Sequence, residues 1–251
     1  MLALIGGSGL YALNDFNEPR VEQVNSSYGS EPVRVEIYDT PAGQVAFLPR
    51  HGKSHNTPPH LVNYRANIDA LKQLGVGEII AFNAVGGIAA DMGPGAFAIP
   101  DQIIDYTHGR DNTFFEGEQS EVVHIDFSNP FSPGLSERLL LAAKALAQVG
   151  EEPRAIQMGA VYGCTQGPRL ETAAEIKRMA QDGCDIVGMT AMPEAALARE
   201  VEIDYAMLAL SVNWAAGIVP GVITMAEIKA VMDEGMSFVH QVVQRLVATK
   251  S

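Results

Sequence analysis

Apolar and polar positions along this chain change period in blocks, and each period predicts an element. Leu2 to Ile5 is a short apolar run that breaks on "GGSG", a buried strand leading into a tight turn. Val33 to Tyr38 and Gln44 to Leu48 flank "DTPAG" and read as a hairpin. "RHGKSHNTPPH", from Arg50 to His60, is a loop, because Gly, Asn and two prolines preclude a regular helix. From Asn63 to Leu74, Tyr64, Ile68 and Leu71 recur on one helical face, and Gly75 stops the helix. Ile79 to Phe82 is a buried strand ending in "NAVGG", and Phe97 to Tyr106 is largely extended. The polar stretch 108–122 is a loop excursion.

The second half alternates more regularly. Pro133 to Val149 is an amphipathic helix, with Ser132 as its cap and Gly150 beyond its end. Ala160 to Cys164 is a strand, Glu171 to Gln181 a helix, and "DIVGMT" a strand. A helix opens near Pro193 and Glu194, with Glu194 as a partner for its dipole. The strand Ala206 to Val212 follows, then a long helix whose Thr224 and Glu227 form a capping box. Alternating helix and strand imply an α/β fold with a largely parallel sheet covered on both faces, and the hairpin makes that sheet mixed. In such folds ligands sit at the carboxyl ends of strands. Four of those ends carry unusual residues: "GGSG" at 6, "NAVGG" at 83, Met189-Thr190, and Asn213 beside the only Trp of the chain.

Composition narrows the possibilities. The 251 residues are 47% hydrophobic, enough for a full core in one domain spanning 1–251. Thirty acids against 17 bases give a net charge of −13, which argues against nucleic acid and anionic membranes as partners. A small anion is still allowed, held by a local cluster of donors. Two cysteines, Cys164 and Cys184, are too few for a disulfide framework or a structural zinc site. "MLALIGGSGL" lacks the basic region of a signal peptide, and no apolar run approaches a membrane span, so the expected location is cytoplasmic.

Two segments carry candidate chemistry. Gly7, Gly9 and Ala12 have G-x-G-x-x-A spacing, but Asn14, Asp15, Asn17 and Pro19 stop the long helix that a dinucleotide site requires. A glycine loop holding an anion with its N–H groups and Ser8, or a plain turn, both fit. In "PRHGKSH", Arg50 offers a planar fork matched to phosphate, and His51 adds a short donor. A solvated basic loop is the bland alternative. A metal on His51, His55 and His60 is disfavoured, since no helix, carboxylate or Cys supports it.

Together "GGSGL", "LPRHGKSH", "VNYRANIDALKQLG", "NAVGGI", "GPRLET", "GMTAMPEAALARE" and "LSVNW" run in one order over nearly the whole chain. In that order they resemble the trimeric purine nucleoside phosphorylase superfamily, and most closely its methylthioadenosine phosphorylase branch. The resemblance implies a nucleoside phosphorylase fold, a mixed and largely parallel sheet closed as a distorted barrel and flanked by helices. It also implies a homotrimer acting on a nucleoside and phosphate, with no metal and no organic cofactor, phosphate being a co-substrate. Carried over by position, Ser8, Arg50, His51, Asn83, Ala84 and Thr190 surround phosphate. Met189 packs on ribose and base, and Leu170 lies against the purine. Asn213, flanked by Trp214 and Ala215, faces N7 and the 6-substituent. Val231, Met232 and Met236 could serve at the 5′ end, and equally could be ordinary helix core.

Adenine-specific members of that branch carry Asp-x-Asp where this chain has Asn213 and Ala215. An Asn offers one carbonyl acceptor and one NH₂ donor, a match for N7–H and O6 of a 6-oxopurine. The expected reaction is therefore phosphorolysis of S-methyl-5′-thioinosine to hypoxanthine and 5-methylthioribose 1-phosphate, with Asn213 as the catalytic base-site residue. Methylthioadenosine phosphorolysis, general inosine or guanosine phosphorolysis, and a non-enzymatic purine- or phosphate-binding role are the alternatives.

Overall fold

The computed structural model describes residues 1–13, 16–41, 43–117, 121–147 and 154–248. Asn14, Asp15, Val149 and Gly150, invoked above as helix stops or ends, lie outside the described residues, as does the hairpin-tip residue Ala42. The strands are β1 (Leu2–Gly6), β2 (Arg20–Val24), β3 (Val33–Thr40), β4 (Gly43–Pro49), β5 (Glu78–Gly87), β6 (Phe97–Asp105), β7 (Ile156–Cys164), β8 (Ile186–Gly188) and β9 (Asp204–Trp214). The helices are α1 (Tyr64–Gln73), α2 (Pro133–Ala147), α3 (Ala173–Asp182), α4 (Ala191–Glu200) and α5 (Met225–Leu246). A 3₁₀ turn, Pro59–Leu61, interrupts the proline-rich loop.

The sheet runs β2-β3-β4-β1-β5-β8-β7-β6-β9, and β9 returns to pair with β5. β5, β8, β7, β6 and β9 thus close into a five-stranded barrel, with the other four strands extending from β5. Pairing is parallel for β1–β4, β1–β5, β5–β9, β6–β7 and β7–β8, and antiparallel for β2–β3, β3–β4, β5–β8 and β6–β9. This is the mixed, largely parallel arrangement that the alternation of elements predicts.

Burial on both faces explains the unbroken apolar runs of β1, β5 and β9. Ala3, Ile5, Ile79, Ala81, Met207 and Ala209 enter the core shared with α1 and α4. Their neighbours Leu4, Ile80, Phe82, Leu208 and Leu210 enter the opposite core, against α2 and α5. Helix ends follow local side-chain chemistry. Asn63 caps α1 by accepting from the Ala66 N–H at 2.9 Å. Thr172 with Glu175, and Thr224 with Glu227, form capping boxes on α3 and α5. Gly183 ends α3 in the left-handed region at φ 95°.

Several elements depart from the sequence pattern. β2 was not legible: "RVEQV" is charged and mostly exposed, as suits an edge strand. β8 stops at Gly188, so Met189 and Thr190 leave the strand. Met192 is extended at φ −115°, ψ 136°, and regular α4 geometry starts at the expected Pro193. β9 continues to Trp214 through a bulge, because Val85 pairs Ser211 while Gly86 pairs Asn213. Val212 is the extra residue, and such bulges re-aim the side chains beside them.

Candidate active site

A cleft of about 450 Å³ lies where the glycine loop, the 50–59 loop, the end of β5, the β8–α4 junction and the β9 bulge meet. Ser8, Arg50, His51, Asn83, Ala84, Met189, Thr190, Leu170, Asn213 and Ala215 all line it. Trp214 is not among the lining residues; its ring packs against Gly93, where a Cβ would stand 2.9 Å from Cζ2. Ile223, Met225 and Ile228, at the start of α5, add an apolar wall. Met232 and Met236 instead pack over Gly9, and neither they nor Val231 line the cleft.

One end is a buried polar cluster. Arg50 donates from Nε and Nη2 to the two oxygens of Glu194 at 2.6 and 2.7 Å. Burial works against the charge of Arg50, and Glu194 outweighs it, raising the guanidinium pKa. Tyr205 donates its hydroxyl to the same carboxylate at 2.7 Å, and burial holds that phenol in its protonated form. Arg50 Nη1 lies close to Gly7, where a Cβ would come within 3.3 Å of it and 2.5 Å of the Phe82 carbonyl oxygen. Only glycine allows that approach.

Asn83 and Thr190 extend the cluster. Asn83 Oδ1 accepts from Arg50 Nη2 at 3.4 Å, and its Nδ2 donates to Thr190 Oγ1 at 2.7 Å. The Thr190 hydroxyl therefore accepts inside the protein and keeps its own proton for a ligand. His51 Nδ1 sits 2.8 Å from the Thr57 carbonyl, which only accepts, so Nδ1 carries the proton. Burial, with the neighbouring Arg50 charge added, pushes His51 down to about 4. The neutral ring therefore presents Nε2 as an acceptor. This reverses the donor role expected from the sequence, and it suits an anion that still carries a proton. Ser8 Oγ lies 3.5 Å from His55 Nε2 across the mouth.

The other end is open. Asn213 Nδ2 donates to the Trp214 carbonyl at 2.7 Å. That carbonyl only accepts, so the amide orientation is fixed, leaving Oδ1 and one N–H for a ligand. Leu170 is 44% exposed.

Glu194 was missed as a site residue: it is the counter-ion of Arg50, not merely a dipole partner. A signal was available, since Glu194 is the one charge between Met189 and Ala198 in an otherwise apolar stretch. Tyr205, within the apolar run of β9, had no such signal. Among the described residues no group of three His, Cys, Asp or Glu could hold a metal, and no helix is long and apolar enough to cross a membrane.

Residues 1–248 match the phosphorylase superfamily. A probable S-methyl-5′-thioinosine phosphorylase of Pseudomonas syringae pv. tomato is 52% identical over 246 residues, covering 98% of each chain. A 6-oxopurine nucleoside phosphorylase of Pyrococcus furiosus is 45% identical over 238 residues, 93% of this chain and 86% of that one. Among solved structures, methylthioadenosine phosphorylase from Schistosoma mansoni in complex with adenine superposes with a TM-score of 0.91 at 30% identity, covering 98% of this chain and 90% of that one. The chain belongs to the phosphorylase superfamily, as a pentosyltransferase of the purine nucleoside phosphorylase type.

Proposed function

We propose that this enzyme cleaves S-methyl-5′-thioinosine with phosphate, giving hypoxanthine and 5-methylthioribose 1-phosphate. The observation that carries the reading is the fixed amide of Asn213. With Nδ2 tied to Trp214, Oδ1 is a pure acceptor for N7–H, and the second N–H can donate to O6. An Asp-x-Asp pair able to protonate N7 of adenine is absent, since Ala215 fills the second position. The apolar wall of Ile223, Met225 and Ile228 supports a methylthio group in place of a 5′-hydroxyl. Relatives at 45–52% identity are named as thioinosine and 6-oxopurine phosphorylases, which supports the same base class.

In the proposed reaction a phosphate oxygen forms a bond to C1′ while the C1′–N9 bond breaks through a ribosyl cation-like transition state. The electron pair of that bond passes to the purine. The proton that phosphate loses is balanced by the new N–H of free hypoxanthine. Arg50 Nη1, the Thr190 hydroxyl and the N–H groups near Ser8 and Ala84 position phosphate, and His51 Nε2 accepts its proton. Met189 and Leu170 pack on ribose and base. Asn213 acts on the charge that develops on the leaving purine, which lowers the barrier more than ground-state binding does. No metal or organic cofactor takes part, and the active assembly is a homotrimer in the cytoplasm.

The test is product analysis. Incubation with methylthioinosine and phosphate should release hypoxanthine and methylthioribose 1-phosphate in equal amounts. Base release that continues without phosphate, or none with it, would contradict the reading.

A further inference from the structure

A chain of net charge −13 that binds an anion is expected to gather cations at the site. This one cancels them. Among the described residues lining the cleft, Arg50 is the only lysine or arginine, and both its Nε and Nη2 are bound to Glu194. Arg50 and Glu194 are 3% and 1% exposed. Lys53, the other cation of the 50–57 loop, does not line the cleft. Its Nζ lies 2.6 Å from the carboxylate of Glu36, a buried residue of β3. His51 is uncharged near neutral pH. Glu171, which does line the cleft, adds a further negative charge. Arg50 and Lys53 are thus each paired with a buried carboxylate, that of Glu36 being shared with Arg34.

We propose that Glu194 is a counter-charge that limits how tightly the site holds phosphate and the sugar phosphate product. Arg50 supplies directed N–H groups, and Glu194 removes the net charge that would tighten their grip in a low-dielectric pocket. The anion is then held mainly by oriented neutral donors, which favour the transition state without overbinding what must leave. This inference rests on the phosphorolysis reading, which makes one site bind inorganic phosphate and release a sugar phosphate. If Glu194 served only to orient Arg50, its loss would loosen the guanidinium and weaken phosphate binding. The two roles differ in sign.

The test is Glu194→Gln, which keeps the shape and one acceptor while removing the charge. Inorganic phosphate binding is measured by isothermal calorimetry, beside KM for phosphate and kcat. The expected result is phosphate bound about tenfold tighter or more. KM for phosphate falls in step, and kcat falls as product release slows. Phosphate also raises the melting temperature of the variant more than that of the wild type. Equal or weaker phosphate binding by the folded variant overturns the proposal.

Should the variant not fold, the wild type carries the test. Its phosphate affinity is compared at about 50 and about 500 mM sodium gluconate. A neutralised site in a negative chain holds its affinity or gains as salt screens the repulsion, whereas a several-fold loss overturns the proposal. Wild type that binds no phosphate would sink the phosphorolysis reading as well. Binding with the opposite sign sinks this inference alone.

Discussion

The two ends of the cleft are built in different ways. At the end proposed to hold phosphate, Arg50, His51, Asn83 and Thr190 are buried; partners remote in sequence fix Arg50, Asn83 and Thr190, and the Thr57 carbonyl of the same loop fixes His51. Arg50 and Glu194 meet across 144 residues of chain. At the end proposed for the base, Leu170 is 44% exposed, and Asn213 is fixed by the backbone of the next residue. Handling charge requires dipoles preorganised in a dry site, and only tertiary contacts hold them there. Selecting a base requires one amide with a defined donor and acceptor face. The phosphate end should therefore be intolerant of change, and the base end tunable.

Replacement of Arg50 by Met should have the largest effect. It strands the buried Glu194 carboxylate, with an expected loss of about 3–5 kcal/mol in denaturant unfolding and loss of phosphorolysis. Arg50→Lys should not restore activity, because an ammonium cannot reproduce the two-pronged contact. At the base end, Asn213→Asp combined with Ala215→Asp should leave the fold intact and shift preference toward 6-aminopurines. The expected change in relative kcat/KM is about two decades, or about 3 kcal/mol. Unchanged 6-oxo preference in the folded double variant would remove Asn213 from the account.

Acid should act through His51. The His51 pKa is depressed from 6.5 to about 4, so the unfolded chain takes up a proton that the folded chain refuses. Its neutral burial is tolerated above about pH 6.5 and costs stability as pH falls toward 4, by about 2 kcal/mol at pH 5. Melting curves at pH 7 and pH 5 should show the loss, and His51→Asn should reduce it. The smallest effect is expected from Thr224→Ala, which removes the cap of α5 for about 1 kcal/mol. Fraying there should raise KM for the nucleoside and leave KM for phosphate unchanged; a reversed pattern would erase the distinction between the two ends.

Much of this was legible in the residues because the relevant signals are local. Double-faced burial produces the apolar runs of β1, β5 and β9, and capping chemistry marks α3 and α5. Ser8, Arg50, Asn83 and Asn213 share one cleft because β1, β4, β5 and β9 run parallel and place their carboxyl ends together, whereas Met189 and Thr190 reach it from β8, which runs antiparallel to the end of β5. β2 was missed because an edge strand need not alternate. Glu194 was misread because its partner is remote in sequence. The bulge at Val212 depends on register between β5 and β9, which no single strand encodes.

Selection of the base by the fixed amide of Asn213 should show in the rate of the reaction. The most direct measurement is kcat/KM for methylthioinosine and methylthioadenosine with the same enzyme at saturating phosphate. Methylthioinosine should lead by about two decades, since the fixed Oδ1 and N–H match N7–H and O6 of a leaving 6-oxopurine but would meet the N7 lone pair and 6-amino group of adenine acceptor to acceptor and donor to donor. Equal turnover of the two nucleosides would contradict it.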